Sequence, residues 1–264
     1  MTSPITVVCG WASHTGLRRT LNEDALLVQA PLFLVADGMG GYEAGEQASA
    51  DVVKAFSPLA GREDVSLEDV RAALDDARIQ IDALPENAGT TLSGVAVASV
   101  DGVGYWLTVN IGDSRTYRLS EGALEQITVD HSVVQELIDA GRLGADDARR
   151  DRRRNIITRA LGGGSTGEAD YWMLPAEAGD RILVCSDGLT SEVDDATISQ
   201  VLSVHNDPQD AADQLIELAL QGGGRDNITA VVVDAAQVRR QVGAVPSADD
   251  IVLDTVPRLG GGTR

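Results

Sequence analysis

A chain of 264 residues with a formal net charge of −20 and only 3% aromatic residues is ill suited to nucleic acid, because phosphate backbones need a basic face and unpaired bases need aromatic platforms. A hydrophobic content of 43% is enough for one generous domain, whose core must be filled by Ala, Val and other small residues. No run approaches the roughly 20 apolar residues of a membrane helix, and the first residues lack the basic-then-apolar layout of a secretory signal, so a cytoplasmic protein with no membrane contact is expected.

In chain order, residues 5–9, 25–28 and 32–36 read as strands between turn signals. Beyond Gly40 and Gly41, residues 43–59 carry Ala44, Ala48, Val52, Val53 and Phe56 at helical spacing. Residues 67–84 are periodic in the same way, behind a Ser66 N-cap with Asp69 three positions on. Two amphipathic helices so close in sequence predict an antiparallel pair over one face of a sheet. Strands over 91–100 and 103–111 form a hairpin about Asp101-Gly102, and 114–119 with 124–127 form another about Glu121-Gly122. Residues 132–141 are helical and close on Gly141. The stretch 142–169 is charged from Asp146 to Arg154 and contains Gly162-Gly163-Gly164; it reads either as a solvated surface segment or as a mobile one carrying cations near an anionic substrate. A strand over 181–186, helices over 195–204 and 208–221, and a strand over 228–233 follow. From about Gln237 the chain turns small, polar and proline-interrupted, which predicts a disordered tail over 237–264. Strands on both sides of a helix pair, with hairpin turns and no regular βαβ alternation, predict an α+β fold with antiparallel sheets. Cys9 and Cys185 lie in apolar runs and are expected to be buried and unreactive.

Four aspartates carry the chemistry. Asp37 (F-L-V-A-D-G), Asp113 (V-N-I-G-D-S), Asp187 (L-V-C-S-D-G) and Asp226 (G-R-D-N) each end an apolar or small-residue run and precede a small or turn-forming residue. Strand-end carboxylates from distant parts of a chain can converge on Mg²⁺ or Mn²⁺; singly, each also fits a turn-initiating or capping aspartate. Gly38 would let the chain bend so that its own carbonyl faces a cation. Glu23 and Asp24, just before a strand, either supply ligands and hold metal waters or simply face solvent. Arg18 and Arg19 are commonplace singly, but near such a centre the planar fork of an arginine grips phosphate.

Taken in order, G-L-R-R-T-L-N-E-D (16–24), A-D-G-M-G-G (36–41), G-T-T (89–91), N-I-G-D-S-R (110–115), D-H-S (130–132), N-I-I-T-R-A-L-G (155–162), S-D-G-L (186–189) and G-R-D-N-I-T (224–229) resemble the PPM family, the metal-dependent 2C-type protein serine/threonine phosphatases, in their bacterial form. The resemblance implies a catalytic domain over 5–236, built as a central sandwich of two antiparallel β-sheets flanked on both sides by helix pairs, with a flap about 142–165. It implies two core Mn²⁺ or Mg²⁺ ions and a third beside them. Asp37 would bridge the core pair, Asp187 and Asp226 would complete the first ion, and the Gly38 carbonyl would bind the second. Glu23 and Asp24 would hold metal-bound water, Asp113 would share the third ion with Asp187, and Asn155 of the flap would reach that ion. Arg19 would hold the substrate phosphate. The implied reaction is direct attack on phosphoserine or phosphothreonine by a dimetal-bridging hydroxide. The implied partners are phosphorylated proteins, substrates of a bacterial Ser/Thr kinase and the kinase itself, met by a monomeric enzyme. Two departures stand out: Met39 occupies the position of a histidine proposed as general acid in eukaryotic members, and Ser13-His14 replaces a common Ser-Asp. His14 is expected to be an exposed turn residue and His131 a structural contact near the flap. Retention of Asp37, Asp187, Asp226 and Arg19 favours an enzyme over the alternatives, a non-catalytic phosphoprotein-binding pseudophosphatase or a structural metal-binding domain.

Overall fold

The computed structural model describes residues 3–40, 43–85, 87–148, 151–165 and 167–239. Three strands open the chain, β1 (Ile5–His14), β2 (Asp24–Gln29) and β3 (Leu32–Met39), followed by the helices α1 (Glu43–Phe56) and α2 (Leu67–Ile81). Ser66 and Asp69 close a reciprocal capping box at the start of α2. The central block is β4 (Gly89–Thr90), β5 (Leu92–Val100), β6 (Val103–Ile111), β7 (Arg115–Ser120) and β8 (Ala123–Gln126). Then come α3 (Val133–Asp139), α4 (Ala145–Ala148), β9 (Leu161–Gly162), β10 (Asp170–Pro175) and β11 (Arg181–Cys185). The described fold closes with α5 (Asp187–Thr190), α6 (Asp195–Val204), α7 (Pro208–Gly222) and β12 (Ile228–Val238).

All strand pairs are antiparallel. One sheet runs β1-β12-β11-β7-β8; the other runs β10-β6-β5-β3-β4-β9, with β2 beside β3. The α1/α2 pair covers the second sheet through Ala48, Val52, Phe56, Leu74 and Ile81. The α6/α7 pair covers the first through Ile198, Leu202, Leu215 and Ala219. Between the sheets lies a third apolar layer that includes Phe33, Val35, Val95, Trp106, Val184 and Val231. The fold is therefore the expected four-layer α+β sandwich, with the helix pair after β3 where periodicity places it.

Several details differ from the sequence reading. Strand β10 has no counterpart in it, because Asp170–Pro175 is a half-exposed edge strand with neither clean alternation nor a continuous apolar run. Strand β12 continues to Val238, pairing Gln237 and Val238 with Thr6 and Ile5; residues 240–264 of the expected tail, with Gly41, Arg149 and Arg150, lie outside the described residues. Cys185 is buried, but Cys9 is exposed: its apolar run is an edge strand with a neighbour on one side only. That edge carries a bulge between Thr6 and Val7. Farther along it, the Gln209 side chain accepts the Trp11 N–H at 3.1 Å and donates to the Trp11 carbonyl at 2.9 Å.

The inter-sheet layer holds the sandwich together, and Phe33 is fully buried in it. Phe33→Ala is expected to cost about 3–5 kcal/mol, read as a lower urea midpoint at unchanged m-value.

Candidate active site

The alternation of strands carries one face of each sheet from apolar to acidic. Along β3, Leu32, Leu34 and Ala36 face the helices while Phe33 and Val35 face the other sheet; the same period places Asp37 on the inner face. In β5, Val97 and Val95 give way to Ser93; in β12, Val233 and Val231 give way to Thr229. Hydroxyl pairs then bridge the sheets: Ser93 to Thr116 at 3.0 Å, and Thr91 to Ser114 at 2.8 Å. Beyond the hydroxyls stand the carboxylates.

Asp24 and Asp37 are directly opposed across β2 and β3, a placement that penalises like charges. Burial, and then the charges of Asp187 and Asp226, push the Asp24 carboxyl up to about 7. Burial, then the charge of Asp24 and of the other aspartates, pushes Asp37 well above the usual range. Asp187 rises to about 6 through burial and Asp226, moderated by a side-chain hydrogen bond with Asp37. Asp113 is pushed well up by burial and by Asp187. The expected convergence of the strand-end aspartates is thus visible as mutual repulsion. Among the described residues no three His, Cys, Asp or Glu side chains are gathered tightly enough to hold a metal ion as they stand. The donor set nonetheless fits hard divalent cations: it is all oxygen, and the buried Glu23 Oε1, Asp24 Oδ1 and Asp113 Oδ1 have no hydrogen-bond partner.

Asp226 is held differently. Arg19 Nη2 donates to its Oδ2 at 2.7 Å, with both side chains partly exposed. Arg19 therefore reaches the cluster, but grips a carboxylate there. Its loop is clamped by Asn227, whose carboxamide donates to the Thr15 and Leu21 carbonyls at 2.9 Å and accepts the Glu23 N–H at 2.8 Å. Glu23 is buried, not solvent-facing, and burial raises its carboxyl.

The glycines after Asp37 and Asp187 serve close approach. A Cβ on Gly38 would lie 2.2 Å from the Gly45 carbonyl oxygen in α1, and one on Gly188 would lie 1.9 Å from that of Asn227. Gly38 remains within β3, so it admits the helix against the strand where the sequence reading expected a bend.

A cavity of about 440 Å³ opens beside this cluster, lined by Asp113, Asp187, Arg115, Glu192, Arg154 and Asn155. Asn155, which is exposed, thus shares a cavity with the two aspartates. Arg115 binds Asp130 through Nε and Nη2 (2.8 and 2.7 Å) and donates to the Tyr117 hydroxyl at 3.0 Å; its charge draws Asp113 and Asp187 downward, against their net rise. His131 is buried, accepts the Gly112 N–H on Nδ1 at 3.1 Å and meets Asp170 at 3.0 Å. The Thr158 N–H donates to its carbonyl, so His131 ties Thr158 to Gly112, just past β6, and to Asp170 at the start of β10, as a structural contact. His14 is exposed and accepts the Gly16 N–H in its turn. The Met39 methyl lies 3.3 Å from where a Cβ on Gly89 would stand. Sequence reasoning missed Asn227, Arg115 and the hydroxyl layer; the signal for the first two was position, Asn227 next to Asp226 and Arg115 two residues past Asp113.

The protein phosphatase 2C family matches residues 14–219. The serine/threonine protein phosphatase PstP of Mycobacterium tuberculosis is 39% identical over 275 aligned positions, covering 98% of this chain and 52% of the relative. The chain thus spans about half the length of that curated relative. The serine/threonine phosphatase stp of Listeria welshimeri is 36% identical, with 77% of this chain and 84% of the relative covered. A crystal structure of M. tuberculosis PstP superposes with a TM-score of 0.81 at 39% identity, over 88% of this chain and 99% of that one. A PstP catalytic domain in complex with two manganese ions gives 0.77 at 40%, over 88% and 100%.

Because Asp24 and Asp187 titrate at about 7 and about 6 in the fold and near about 3.9 when unfolded, the metal-free fold binds the extra protons. Its stability is therefore fullest below about pH 4 and declines as pH rises through 6 to 7. In EDTA, the Tm of the parent is expected to fall relative to that of Asp24→Asn as pH rises from 4 to 8; a constant difference would refute the raised Asp24 carboxyl.

Proposed function

Because the chain belongs to the protein phosphatase 2C family, we propose that it hydrolyses phosphoserine and phosphothreonine in proteins with Mn²⁺ or Mg²⁺ as cofactor. The observation that carries this reading is the cluster of Asp24, Asp37, Asp113 and Asp187, whose repulsion Arg19 and Arg115 offset only in part. Asp37 is assigned to both core cations, Asp187 and Asp226 to the first, and the Gly38 carbonyl to the second. Glu23 and Asp24 would orient water, while Asp113 and Asp187, with Asn155 from the flap, would serve a third ion. When bound, the cations supply Lewis-acid polarisation of water and neutralisation of phosphoryl charge.

The chain's own groups do the positioning. Arg19, half exposed and held among the described residues by the carboxylate of Asp226, is free to exchange it for phosphoryl oxygens and to orient them with its planar fork. Asn227 keeps the Arg19 loop and Glu23 at a fixed distance from Asp226. Met39 has no proton to give, so protonation of the leaving alkoxide falls to another group. The relatives' names support protein substrates, and the products of a Ser/Thr kinase, with the kinase among them, are the proposed partners of a monomeric enzyme. Among the described residues no helix is long and apolar enough to cross a membrane.

The test is turnover of a phosphothreonine peptide. Activity should require Mn²⁺ or Mg²⁺ and vanish in EDTA. Asp187→Asn should lower kcat/KM by more than about 100-fold, beyond the usual effect of a group that merely supports a ligand. Arg19→Lys, which lacks the fork, should raise KM by about tenfold. A parent protein that binds the peptide without hydrolysing it in Mn²⁺ would instead be the non-catalytic regulator.

A further inference from the structure

Asp24 sits at the start of β2, yet its carboxylate is held by the opposite sheet. Its Oδ2 accepts two hydroxyl protons, from Ser186 Oγ at 2.8 Å and from Thr229 Oγ1 at 2.7 Å. Ser186 Oγ in turn accepts the Thr229 N–H at 3.0 Å. Thr229 Oγ1 lies 2.8 Å from Ser13 Oγ, and Ser13 Oγ accepts from Asn22 Nδ2 at 2.9 Å. Each hydroxyl has one proton to give. With the Asp24 carboxylate ionised, the Thr229 proton is committed to it, so the proton between Ser13 and Thr229 belongs to Ser13. The chain Asn22–Ser13–Thr229–Asp24 therefore donates in one direction throughout. It closes on itself, because the Asp24 N–H donates to Asn22 Oδ1 at 3.3 Å. Asp24 Oδ2 is thereby occupied, whereas Oδ1 is buried and has no partner.

We infer that the Ser13–Thr229 relay, with Ser186, is a positioning device that fixes the rotation of the Asp24 carboxylate and leaves Oδ1 alone to face the cation site. Thr229 is its central positioning residue and touches no substrate. The inference rests on the metal-dependent reading above. It adds that cation affinity is set by hydroxyls on the sheet opposite Asp24. Ser13 lies on β1, Thr229 on β12 and Ser186 just past β11, all in the five-stranded sheet, while Asp24 and Asp37 belong to the seven-stranded one. Spacing between the sheets is thus transmitted to the carboxylate by bonds of fixed length. Removal of either hydroxyl donor frees Oδ2 to compete with Oδ1 and lets the carboxylate turn.

The test compares Thr229→Val, which removes the hydroxyl while keeping the shape, with Thr229→Ser, which keeps the hydroxyl. Mn²⁺ binding to the intact protein is measured by calorimetry, alongside Tm in EDTA. Thr229→Val is expected to weaken Mn²⁺ binding by about 10–100-fold, as loss of an outer orienting partner does at other metal sites; Thr229→Ser should recover most of it. At saturating Mn²⁺ the peptide KM should stay at the parent value. A Thr229→Val protein that loses Tm but binds Mn²⁺ as the parent does would overturn the relay. Should Thr229→Val fail to fold, Ser186→Ala removes the other hydroxyl donor to Oδ2, and parent-like Mn²⁺ affinity in that variant would overturn it equally. Failure of the parent itself to bind Mn²⁺ would overturn the metal-dependent reading.

Discussion

Two carboxylates placed opposite each other on neighbouring strands, and shielded from water, are the constraint around which this end of the molecule is organised. The β2–β3 register sets Asp24 against Asp37, and the turn from β11 into α5 brings Asp187 close enough for its charge to raise the Asp37 carboxyl. No rearrangement of the hydroxyls can remove that repulsion, since hydroxyls hydrogen-bond a carboxylate without neutralising it. Only positive charge can. Arg19 and Arg115 supply some from the rim, and each is already engaged by an aspartate of its own. The cluster is best understood as half of a structure whose other half is ionic.

The sandwich accommodates this by separating its tasks along the strands. At the end away from the cluster the space between the sheets is filled by Phe33, Trp106, Ile182 and Val233, and the Trp106 ring N–H is itself satisfied by Asp180. Toward the cluster the same inward positions become Ser93, Thr116, Thr229 and Ser186, which exchange hydrogen bonds across the gap. Cohesion is concentrated where the charges are not, and the two helix layers add apolar contact outside. A site that opposes folding is thus carried by a frame whose stability lies elsewhere.

Much of this was legible in the sequence, though unevenly. The helix pair could be read because Ala48, Val52 and Phe56 repeat at helical spacing and Ser66 with Asp69 spells a cap. Asp37, Asp113 and Asp187 could be read because apolar strand runs lead into them, whereas Asp226 stands before β12 and not at the end of a strand. Their roles could not be read from spacing; the ordered family motifs supplied those. The hydroxyl layer was invisible, because Ser and Thr in a strand look the same whether they face water or a second sheet. The Arg19–Asp226 bond joins residues that only the closed sandwich brings together. Gly38 was legible as a necessary glycine, but the neighbour that forbids a side chain there, a helix backbone, was not.

Gln209 shows what the outer edge of β1 has become. An open sheet edge is a template for another chain, and β1 displays Val8 and Trp11 to solvent along it. Gln209 answers the backbone of Trp11 donor for acceptor and acceptor for donor, as a neighbouring strand would. One amide side chain thus counterfeits a rung of a ladder, on the same strand that carries the bulge between Thr6 and Val7.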